Sequence, residues 1–330
     1  MKKKALCLAV MAIVLATGTA STLLAASAYP TQPITIILPF KPGGGADIPT
    51  RTFAAFAEKY LGKSVVVVYK PGATGMVGFV AGAQAAPDGY TLTVGTTATT
   101  GAIEWELINR RKPQVTQRDF VAIGSYTLSP ALVSVPYDSP WKTLSDLIDA
   151  CKSKPGHYAF SSGGLYSGMS HASAEVLMAA ARIKCRHIPH HGGGPAISAV
   201  VGGHVDWTAQ FPATTVSLYQ GKKLRVLAVL GDRRLKHIPE VPTAKELGVN
   251  AEHQAWVGLL APKGTPMPIV EKLIEVISKA VEDESFIKTM DTAGQDVRYM
   301  DNVELAKFWE VESEKMRTLW TKLFEESPSK

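Results

Sequence analysis

Four glycine-rich segments are the part of this sequence whose residue types and spacing suit chemistry. Each follows a predicted strand, and they are 39–47 (PFKPGGGAD), 95–101 (GTTATTG), 161–171 (SSGGLYSGMSH) and 190–196 (HHGGGPA). Glycine lets a backbone approach a ligand closely, and N–H groups at the start of a helix bind anions. Ligands of open parallel sheets bind beyond the carboxyl ends of the strands. The four segments therefore predict a cleft for a small anion, either a carboxylate or a phosphate.

The familiar motifs of nucleotide binding are missing. The chain has no G-x-x-x-x-G-K-[ST] sequence, and its PGGGAD segment lacks the G-x-G-x-x-G spacing. A single glycine loop is often only a turn, but four of them at predicted strand ends favour a binding cleft.

A nucleophilic enzyme is not supported by the serine and histidine pattern. The chain has no G-x-S-x-G elbow. Ser170 and His171 are neighbours in sequence, so the ring cannot face the hydroxyl in the geometry that a serine–histidine pair needs.

A metal site is the remaining enzymatic alternative. The segment HIPHH brings His187, His190 and His191 close in sequence, with His204 and Asp206 further along. This spacing matches no familiar zinc-ligand pattern. The alternative function is therefore a secreted hydrolase or metal-dependent enzyme that acts on a small acid.

The elements that position the glycine segments alternate between strand and helix. Apolar runs predict strands over 34–40, 64–70, 91–97, 157–162, 185–190 and 224–230. Helical spacing predicts helices over 48–61, 143–153, 170–183 and 195–203. Asp47 is placed to be the N-cap of the first helix. Strand–helix–strand spacing predicts parallel pairing with right-handed crossovers.

Two long extended stretches, 120–136 and 253–264, predict two crossings between two lobes. About 300 residues remain after a leader is removed, which exceeds the usual size of a single core. Amphipathic helices after residue 264 are expected to return to the first lobe. Their apolar stripes are Ile269, Leu273, Ile274, Ile277 and Val281, and then Leu305, Phe308, Trp309, Met316, Leu319, Trp320 and Leu323.

The first 28 residues are typical of a secretory signal peptide. Three lysines precede an apolar run, and a small-residue stretch ends in Ala26-Ser27-Ala28. Removing the three lysines leaves 32 basic residues against 29 acidic ones, a net charge of +3. The basic residues are scattered rather than clustered, so we expect no nucleic acid partner.

Two cysteines, Cys151 and Cys185, follow the leader. An oxidising compartment permits a disulfide between them, and two separate buried thiols are the alternative. The sequence gives no distance that decides between these alternatives.

The assembled motifs resemble the Bug family, the TctC-type solute-binding proteins of tripartite tricarboxylate transporters. They occur in the order typical of the family from Tyr29 to near the C-terminus. They are YPTQPITIILPFKPGGGADI, VVVVYKPGATGMVG, AAPDGYTLTVGTT, SSGGLYSGMSH, HIPHHGGGPAISAVVGGHVD, LRVLAVLGDRRLKHIPEVPTAKELG and WVGLLAPKGTP.

The resemblance implies an α/β, two-lobed periplasmic-binding-protein fold of the Venus flytrap type (type 2-like). Each lobe has a mostly parallel sheet flanked by helices, and a two-stranded hinge joins them. We assign 1–28 to the signal peptide, 29–127 plus 257–330 to lobe 1, and 128–256 to lobe 2.

The resemblance also implies which residues bind a ligand carboxylate. In the family, two loops hold it, here 40–47 and 162–171. The residues carried over are Phe40, Gly43, Gly44, Gly45, Ala46, Asp47, Ser162, Gly163, Ser167, Ser170 and His171. Weaker candidates on matching strand ends are Thr96, Thr97, Gly193 and Asp206.

The chain departs from the family pattern at several positions that are further candidate ligand contacts. His190 and His191 replace a common Tyr-Lys pair, Lys41 replaces a small residue, and Trp105 lies in an unusually charged segment. Cationic or polar donors suit a di- or tricarboxylate, whereas Trp105 suits an aromatic acid.

The leading hypothesis is a non-catalytic periplasmic receptor, expected to be a monomer without a cofactor. It would capture a small organic acid between its lobes and deliver it to the membrane permease subunits. A sensor that presents its ligand-bound form to a receptor kinase is a further alternative.

Overall fold

The computed structural model describes residues 29–43, 45–109, 111–164 and 168–326. The predicted signal peptide and two of the predicted ligand contacts, Gly44 and Ser167, lie outside the described residues.

The first half of the chain alternates strands with helices. Its elements are β1 (Ile34–Leu38), α1 (Asp47–Leu61), β2 (Val65–Tyr69), α2 (Met76–Ala83), β3 (Thr91–Thr96), α3 (Thr97–Ile108), β4 (Phe120–Pro136), α4 (Leu144–Ser153), β5 (Ala159–Gly163) and α5 (Met169–Ala181). Short 3₁₀ turns at Ala73–Gly75 and Gln117–Asp119 precede α2 and β4.

The second half begins in the same way and ends in helices. Its elements are β6 (Arg186–His190), α6 (Gly193–Val201), β7 (Trp207–Gln210), α7 (Pro212–Gln220), β8 (Leu224–Leu230), β9 (Gln254–Pro262), α8 (Met267–Glu282), α9 (Glu284–Thr292), β10 (Val297–Met300) and α10 (Asn302–Glu326).

The strands form two mixed sheets that share the 17-residue strand β4. The first sheet has the order β2-β1-β3-β9-β4, with β10 also paired to β4. The second has the order β4-β7-β5-β6, with β8 also paired to β4. Pairing is parallel among β1, β2 and β3 and among β5, β6 and β7, and antiparallel wherever β4 or β9 takes part.

The two predicted extended crossings are confirmed as β4 and β9, which pair with each other. Residues 120–130 of β4 pair with β9, and 131–136 pair with β7 and β8. The change of sheet at Pro130 and Ala131 lies close to the predicted lobe boundary at 127 and 128. The lobe assignment itself stays a prediction.

Each sheet carries its own core. The first core combines β1, β3 and β9 with buried faces of α1 and α8. The second packs α4 and α5 against β4, β5 and β7. In the first core, the Phe53 ring stacks on Tyr126 of β4 at 5.1 Å, and Thr50 hydrogen-bonds the Tyr126 hydroxyl at 2.8 Å. Truncating such a buried ring costs about 3–5 kcal/mol, so these contacts hold α1 on its sheet.

The C-terminal helices cover the first sheet, as the apolar stripes predict. Buried α8 residues such as Leu273 join the first core. Trp309 of α10 packs with Phe79 and Phe120, and Trp320 packs near Ala172 of α5. The α10 helix therefore also contacts a helix of the second sheet.

None of the helices formed by the described residues is long and apolar enough to cross a membrane.

Candidate functional site at the carboxyl ends of the strands

The carboxyl ends of the two parallel strand sets meet at the crossing between the sheets. Thr96, at the end of β3, pairs with Val257 of β9, which pairs with Thr127 of β4. Gln210, at the end of β7, pairs with Leu132 of β4. Five residues of extended β4 separate these two levels, roughly 17 Å along the strand. The loops that follow the two strand sets therefore lie on either side of one region.

In the second sheet, the loops after β5 and β6 are in direct contact. A Cβ atom added to Gly163 would lie 2.5 Å from the Gly193 nitrogen and 2.6 Å from the Gly192 carbonyl carbon. Real Cβ atoms do not approach backbone that closely, so only glycine fits here. The predicted residues Gly163 and Gly193 are thus brought together.

The helices that begin at the predicted ligand loops lack a side-chain cap among the described residues. Ala46, Gly168 and Gly192 occupy the N-cap positions of α1, α5 and α6 without a capping hydrogen bond. By contrast, Thr96 and Thr143 form capping boxes for α3 and α4. Uncapped helix starts keep donors and partial positive charge for an anion.

Gln210 is a site residue that the sequence did not reveal. Its side chain lies at the end of β7, is only 3% exposed, and its Nε2 group has no hydrogen-bond partner among the described residues. Its Oε1 atom faces the start of α6, 3.1 Å from the position of a Cβ atom added to Gly193. The strand β7 is only four residues long and lacks an apolar run, so nothing in its sequence marked Gln210 as a strand end.

The imidazole of His190 lies at the same edge, because His190 pairs with Gly163 in the β5–β6 register. The residue is half-buried, and its Nε2 atom is buried without a partner in the described part of the chain. His191 is exposed.

Ser162 and His187 form a close pair that does not have the properties of a catalytic one. Ser162 Oγ lies 2.6 Å from His187 Nε2 and donates to the Gly164 carbonyl at 2.9 Å. The single hydroxyl proton serves that carbonyl, so the imidazole donates to the serine. Burial, with the charges of His171 and His190, lowers the pKa of His187 to about 3. A ring that resists protonation and already donates is a poor general base.

The remaining residues of the second predicted loop divide into two roles. Ser170 Oγ accepts the Gly163 N–H at 2.8 Å, which fixes the loop and leaves the hydroxyl proton to be donated. His171 instead lies between the Phe160 and Trp320 rings at 5.9 and 5.4 Å, and its Nε2 is 3.3 Å from Glu175. His171 therefore packs between these two rings, and its role as a ligand contact stays a prediction.

The first predicted loop is organised by Asp47. Its carboxylate, only 2% exposed, accepts the Gly43 N–H at 2.8 Å, the Tyr69 hydroxyl at 2.8 Å and the Arg51 side chain at 3.2 Å. The expectation that Asp47 is the N-cap is wrong, because Ala46 occupies that position. Asp47 therefore positions the loop, because its carboxylate is engaged with these three donors and, as an anion, does not attract a ligand carboxylate.

The other residues of the first loop vary in exposure. Lys41, Gly43 and Gly45 are exposed and Ala46 is buried. Gly43 has a φ of 78°, in the left-handed region that favours glycine. The Phe40 ring is half-buried and faces Gly75, whose added Cβ atom would lie 3.0 Å from it.

Thr96 and Thr97 are engaged in holding the crossing. Thr96 caps α3 and exchanges hydrogen bonds with Thr99. Thr97 Oγ1 donates to the Gln254 carbonyl at 3.3 Å and accepts the Trp256 N–H at 3.2 Å. The Thr96 hydroxyl therefore caps α3, and the Thr97 hydroxyl ties α3 to β9. Their role as ligand contacts stays a prediction.

Two predicted contacts lie elsewhere in the structure. Asp206 precedes β7 and accepts the Ala159 N–H at 2.7 Å, at the amino end of β5. Four residues of strand, about 13 Å, separate it from Gly163. Trp105 packs against Trp320 between α3 and α10 at 5.9 Å. Asp206 and Trp105 therefore have contacts of their own in the structure, and their role as ligand contacts stays a prediction. Their positions depend on strand direction and on helix packing.

The two cysteines lie at that same amino end. The Sγ atoms of Cys151 and Cys185 are 3.3 Å apart and both are thiols, Cys151 buried and Cys185 half-buried. They are neighbours without the bond of about 2.05 Å that a disulfide has. The shared hydrogen bond and burial raise the pKa of the Cys151 thiol.

Two cavities and the possible metal ligands elsewhere in the described residues are less suited to bind a small anion than the strand ends. Among the described residues, no group of three or more His, Cys, Asp or Glu side chains has a metal-binding arrangement. A cavity of about 310 Å³ lies between α3 and α10, where Arg317 is already paired with Glu104. A second of about 290 Å³ lies beside Arg233 and Arg234, whose charges are paired with Asp296 and Glu246.

Comparison with known sequences identifies the family. Residues 50–324 match the family described as "Tripartite tricarboxylate transporter family receptor" (TctC). The chain belongs to this family. Protein BugT of Bordetella pertussis is 31% identical over 288 residues, which cover 87% of this chain and 88% of BugT. The "UPF0065 protein in gbd 5'region" of Cupriavidus necator is 33% identical, covering 86% and 85% of the two chains.

Solved structures have the same fold. MatC from Rhodopseudomonas palustris, solved with bound malate, superposes with a TM-score of 0.77 at 28% identity and covers 88% of this chain and 99% of MatC. A TctC solute-binding protein from Polaromonas, solved without ligand, has a TM-score of 0.75 at 28% identity and covers 89% and 99%. The predicted fold class is confirmed by these superpositions. The Polaromonas protein is a solute-binding protein of this family, and the family's members are receptors rather than enzymes.

Proposed function

We propose that the chain is a periplasmic receptor that binds a small organic acid between its two sheets and delivers it to a tripartite tricarboxylate transporter. The observation that carries this proposal is the meeting of the two sets of strand ends at the β4–β9 crossing. Each set brings a glycine loop and an uncapped helix start to that region. Oriented N–H groups stabilise a carboxylate without a full positive charge.

Several features support binding rather than turnover. The Ser162–His187 pair lacks a basic imidazole, and Asp47 is bound by Gly43 of its own loop, by Arg51 of α1 and by Tyr69 of β2. MatC, a relative by sequence and fold, holds malate. Export through the predicted signal peptide would place the receptor in the periplasm as a monomer beside the permease.

The proposal is tested by a thermal-shift screen of the chain from Tyr29 onward. The panel holds mono-, di- and tricarboxylates, aromatic acids, amino acids and sugars, with zinc as a separate arm. A ligand at a hundred times its Kd adds about 2.7 kcal/mol, which raises the Tm clearly. A raised Tm with an organic acid and no chemical change of that acid is the expected result. A response to zinc alone would contradict the proposal and support a metal-dependent enzyme.

A further inference from the structure

Three ion pairs join the two sheets beside the β4–β9 crossing. The segment that follows β8 in the second sheet supplies one partner of each pair, and the segment from α9 to β10 in the first sheet supplies the other. Among the described residues, the pairs are Asp232 with Arg298, Arg233 with Asp296, and Lys236 with Asp291. The first two have nitrogen–oxygen distances of 3.0 Å. These three pairs are called the ionic strap below.

The ionic strap lies at the place where β4 changes sheet. Pro130 is the last residue of β4 that pairs with β9. A Cβ atom added to Gly231, which precedes Asp232, would lie 2.8 Å from Pro130 Cβ. In the first sheet, Val297 of β10 pairs with Thr127 of β4. Both halves of the strap are therefore attached next to the crossing, and a rotation of one sheet against the other changes the distances between the paired charges.

The ionic strap and the contact of α10 with α5 lie on opposite faces of the two sheets. Neighbouring residues of a strand point to opposite faces. In β4, Val133 belongs to the core packed by α5, whereas Leu132 packs with Leu235 of the strap segment. In β9, Leu259 belongs to the core packed by α8 and α9, whereas Leu260 belongs to the cluster packed by α10. The sheets are thus connected by apolar contacts on one face and by charges on the other.

These two connections differ in how easily they separate. On the α10 side, Trp320 and Met316 are at most 2% exposed and pack with Ala172 of α5. Separating them would expose apolar surface to water, which is unfavourable. On the strap side, the Arg233 and Lys236 side chains are already 59% and 49% exposed. Water solvates such charges as they separate, and each exposed pair contributes little, so the strap opens more easily than the apolar contact.

The order of the charges makes the ionic strap specific for one arrangement of the sheets. The second sheet contributes the acid Asp232 followed by the base Arg233, and the first sheet contributes Asp296 and Arg298 in the antiparallel direction. A slip of one segment along the other would bring like charges together, which is unfavourable. The strap therefore favours one angle between the sheets over its neighbours.

We infer that the two sheets rotate about the contact of α10 with α5, and that the ionic strap holds them at one angle in the unliganded chain and thereby sets the affinity for the acid. This inference rests on the proposed function, since the acid is bound between the sheets. A chain whose two edges are already in place loses less freedom on binding, so an intact strap means tighter binding. Weak pairs suffice for this, because the free energies that separate conformers of one protein are small as well.

The test combines titration with small-angle X-ray scattering of the chain from Tyr29. Arg298→Asp and Asp232→Arg each replace attraction with repulsion in one pair, and the double variant restores that pair with its polarity reversed. Lys279→Glu is the matched control. It breaks an exposed ion pair with Glu275 inside α8 and changes the net charge as Arg298→Asp does, but that pair does not join the two sheets. The acid probes are malate, succinate, adipate and benzoate.

Each single variant should bind the acid about tenfold more weakly than the wild type, because a wider range of sheet angles has to be narrowed on binding. Without acid, each should have a larger radius of gyration than the wild type, and with saturating acid the same radius. The double variant should return to within about threefold of the wild-type affinity and to the wild-type radius. Lys279→Glu should match the wild type in both measurements.

The melting temperature separates this role from a purely structural one. Exposed ion pairs contribute little to the free energy of unfolding, so the unliganded single variants should keep a Tm close to that of Lys279→Glu. A clearly lower Tm of Arg298→Asp and Asp232→Arg would assign the strap to the stability of the fold and overturn the inference.

Three further results would overturn the inference and leave the proposed function standing. One is an unliganded radius that does not increase in the single variants, whatever their affinity. Another is a double variant that binds as weakly as the single variants, since the pair would then not be the cause. The third is tighter acid binding in the single variants, which would mean that the strap holds the two edges apart. A wild type that binds none of the four acids would overturn the proposed function, and the radii of the unliganded variants would still test the strap.

Discussion

The two carboxyl edges that meet at the crossing are prepared differently for a ligand. In the first sheet the polar groups are bound to one another: Asp47 accepts from Gly43, and Thr97 bridges α3 and β9. In the second sheet Gln210 keeps a buried donor without a described partner. The second edge also has internal bonds, from Gly163 to Ser170 and between Ser162 and His187, but it keeps this one buried donor. We therefore expect the first edge to be preorganised by its own contacts and the second to be completed by a ligand.

Gly163→Ala is expected to lower stability and acid affinity more than any other variant. The added Cβ would lie 2.5 Å from the Gly193 backbone nitrogen, and backbone cannot move aside as a flexible side chain can. Overpacking of this kind costs up to about 3 kcal/mol, and separating the two loops lowers affinity by about 100-fold. Thermal unfolding and titration with the acid found in the screen measure both effects. Gly194→Ala at the same edge has open space and serves as the control. Equal behaviour of the two variants would show that loop contact is unimportant.

Oxidation of Cys151 and Cys185 tests the amino end of the second sheet, which lies away from the proposed acid site. With Sγ atoms 3.3 Å apart, the thiols are expected to exchange with oxidised glutathione and form an internal disulfide. Closing a loop of 34 residues stabilises the fold by about 4 kcal/mol. The mass should fall by two hydrogens, the Tm should rise, and acid affinity should stay unchanged. Cys151→Ser is the control. A change in affinity on oxidation would contradict the separation of the two ends.

A buried network between the two edges makes stability depend on pH. Ser173 of α5 hydrogen-bonds His253 at 2.8 Å, and His253 lies 3.8 Å from Glu312 of α10. Burial raises the pKa of Glu312 to about 7 and lowers that of His253 to about 4, with Lys315 lowering both. Between about pH 4.5 and 6.5 the folded chain keeps the Glu312 proton that the unfolded chain loses, and lacks the His253 proton that the unfolded chain gains. As the pH increases, the Glu312 shift therefore lowers the free energy of unfolding and the His253 shift raises it, so the two effects oppose each other.

In Glu312→Gln only His253 still titrates in this network. The free energy of unfolding should therefore rise as the pH increases from about 4 to 6.5, by up to about 3 kcal/mol. His253→Gln leaves only the glutamate, so the free energy should fall between about pH 4.5 and 7. Urea unfolding across this range measures both, and the wild type should be nearly flat by comparison. The same slope in all three proteins would rule out the network as the source of pH dependence.

Asp47→Asn is expected to have the smallest effect of this series. The amide keeps the size of the side chain but loses charge in its bonds to Gly43, Arg51 and Tyr69. Losing the loop's rigidity should weaken acid binding by about tenfold, equivalent to 1.4 kcal/mol, with the fold intact. Titration and circular dichroism measure this, with Asp149→Asn on the exposed face of α4 as the control. Tighter acid binding in Asp47→Asn would mean that the carboxylate repels the ligand more than it orders the loop.

Much of this fold was predictable because strands such as β1, β2 and β8 are apolar runs. The predicted strand at 224–230 matches β8, and the two extended stretches are β4 and β9. The helix α3, which begins at Thr97, was missed because threonine and glycine at its start favour a loop. The short strand β7 was missed because WTAQ has no apolar run, and Gln210 was missed with it.

The parts of the candidate site whose backbone conformation depends on local sequence were predictable. The parts whose position depends on packing between distant segments were not. The contact of Gly163 with Gly193 follows from glycine loops at neighbouring strand ends. His171 and Trp105 have residue types that suit a ligand, but α10 returns from the far end of the chain and packs against both through Trp320. Asp206 lies at the amino end of β7, beside the amino end of β5, and a single sequence position does not reveal this.

Amide hydrogen exchange with and without a saturating organic acid tests the central claim most directly. We expect the acid to protect backbone amides in two segments, 43–48 and 192–196, which carry the uncapped starts of α1 and α6. Segment 151–159 at the opposite end of the second sheet should exchange at an unchanged rate. Protection at only one of the two edges, or protection centred on 151–159, would contradict capture of the acid between the two sheets.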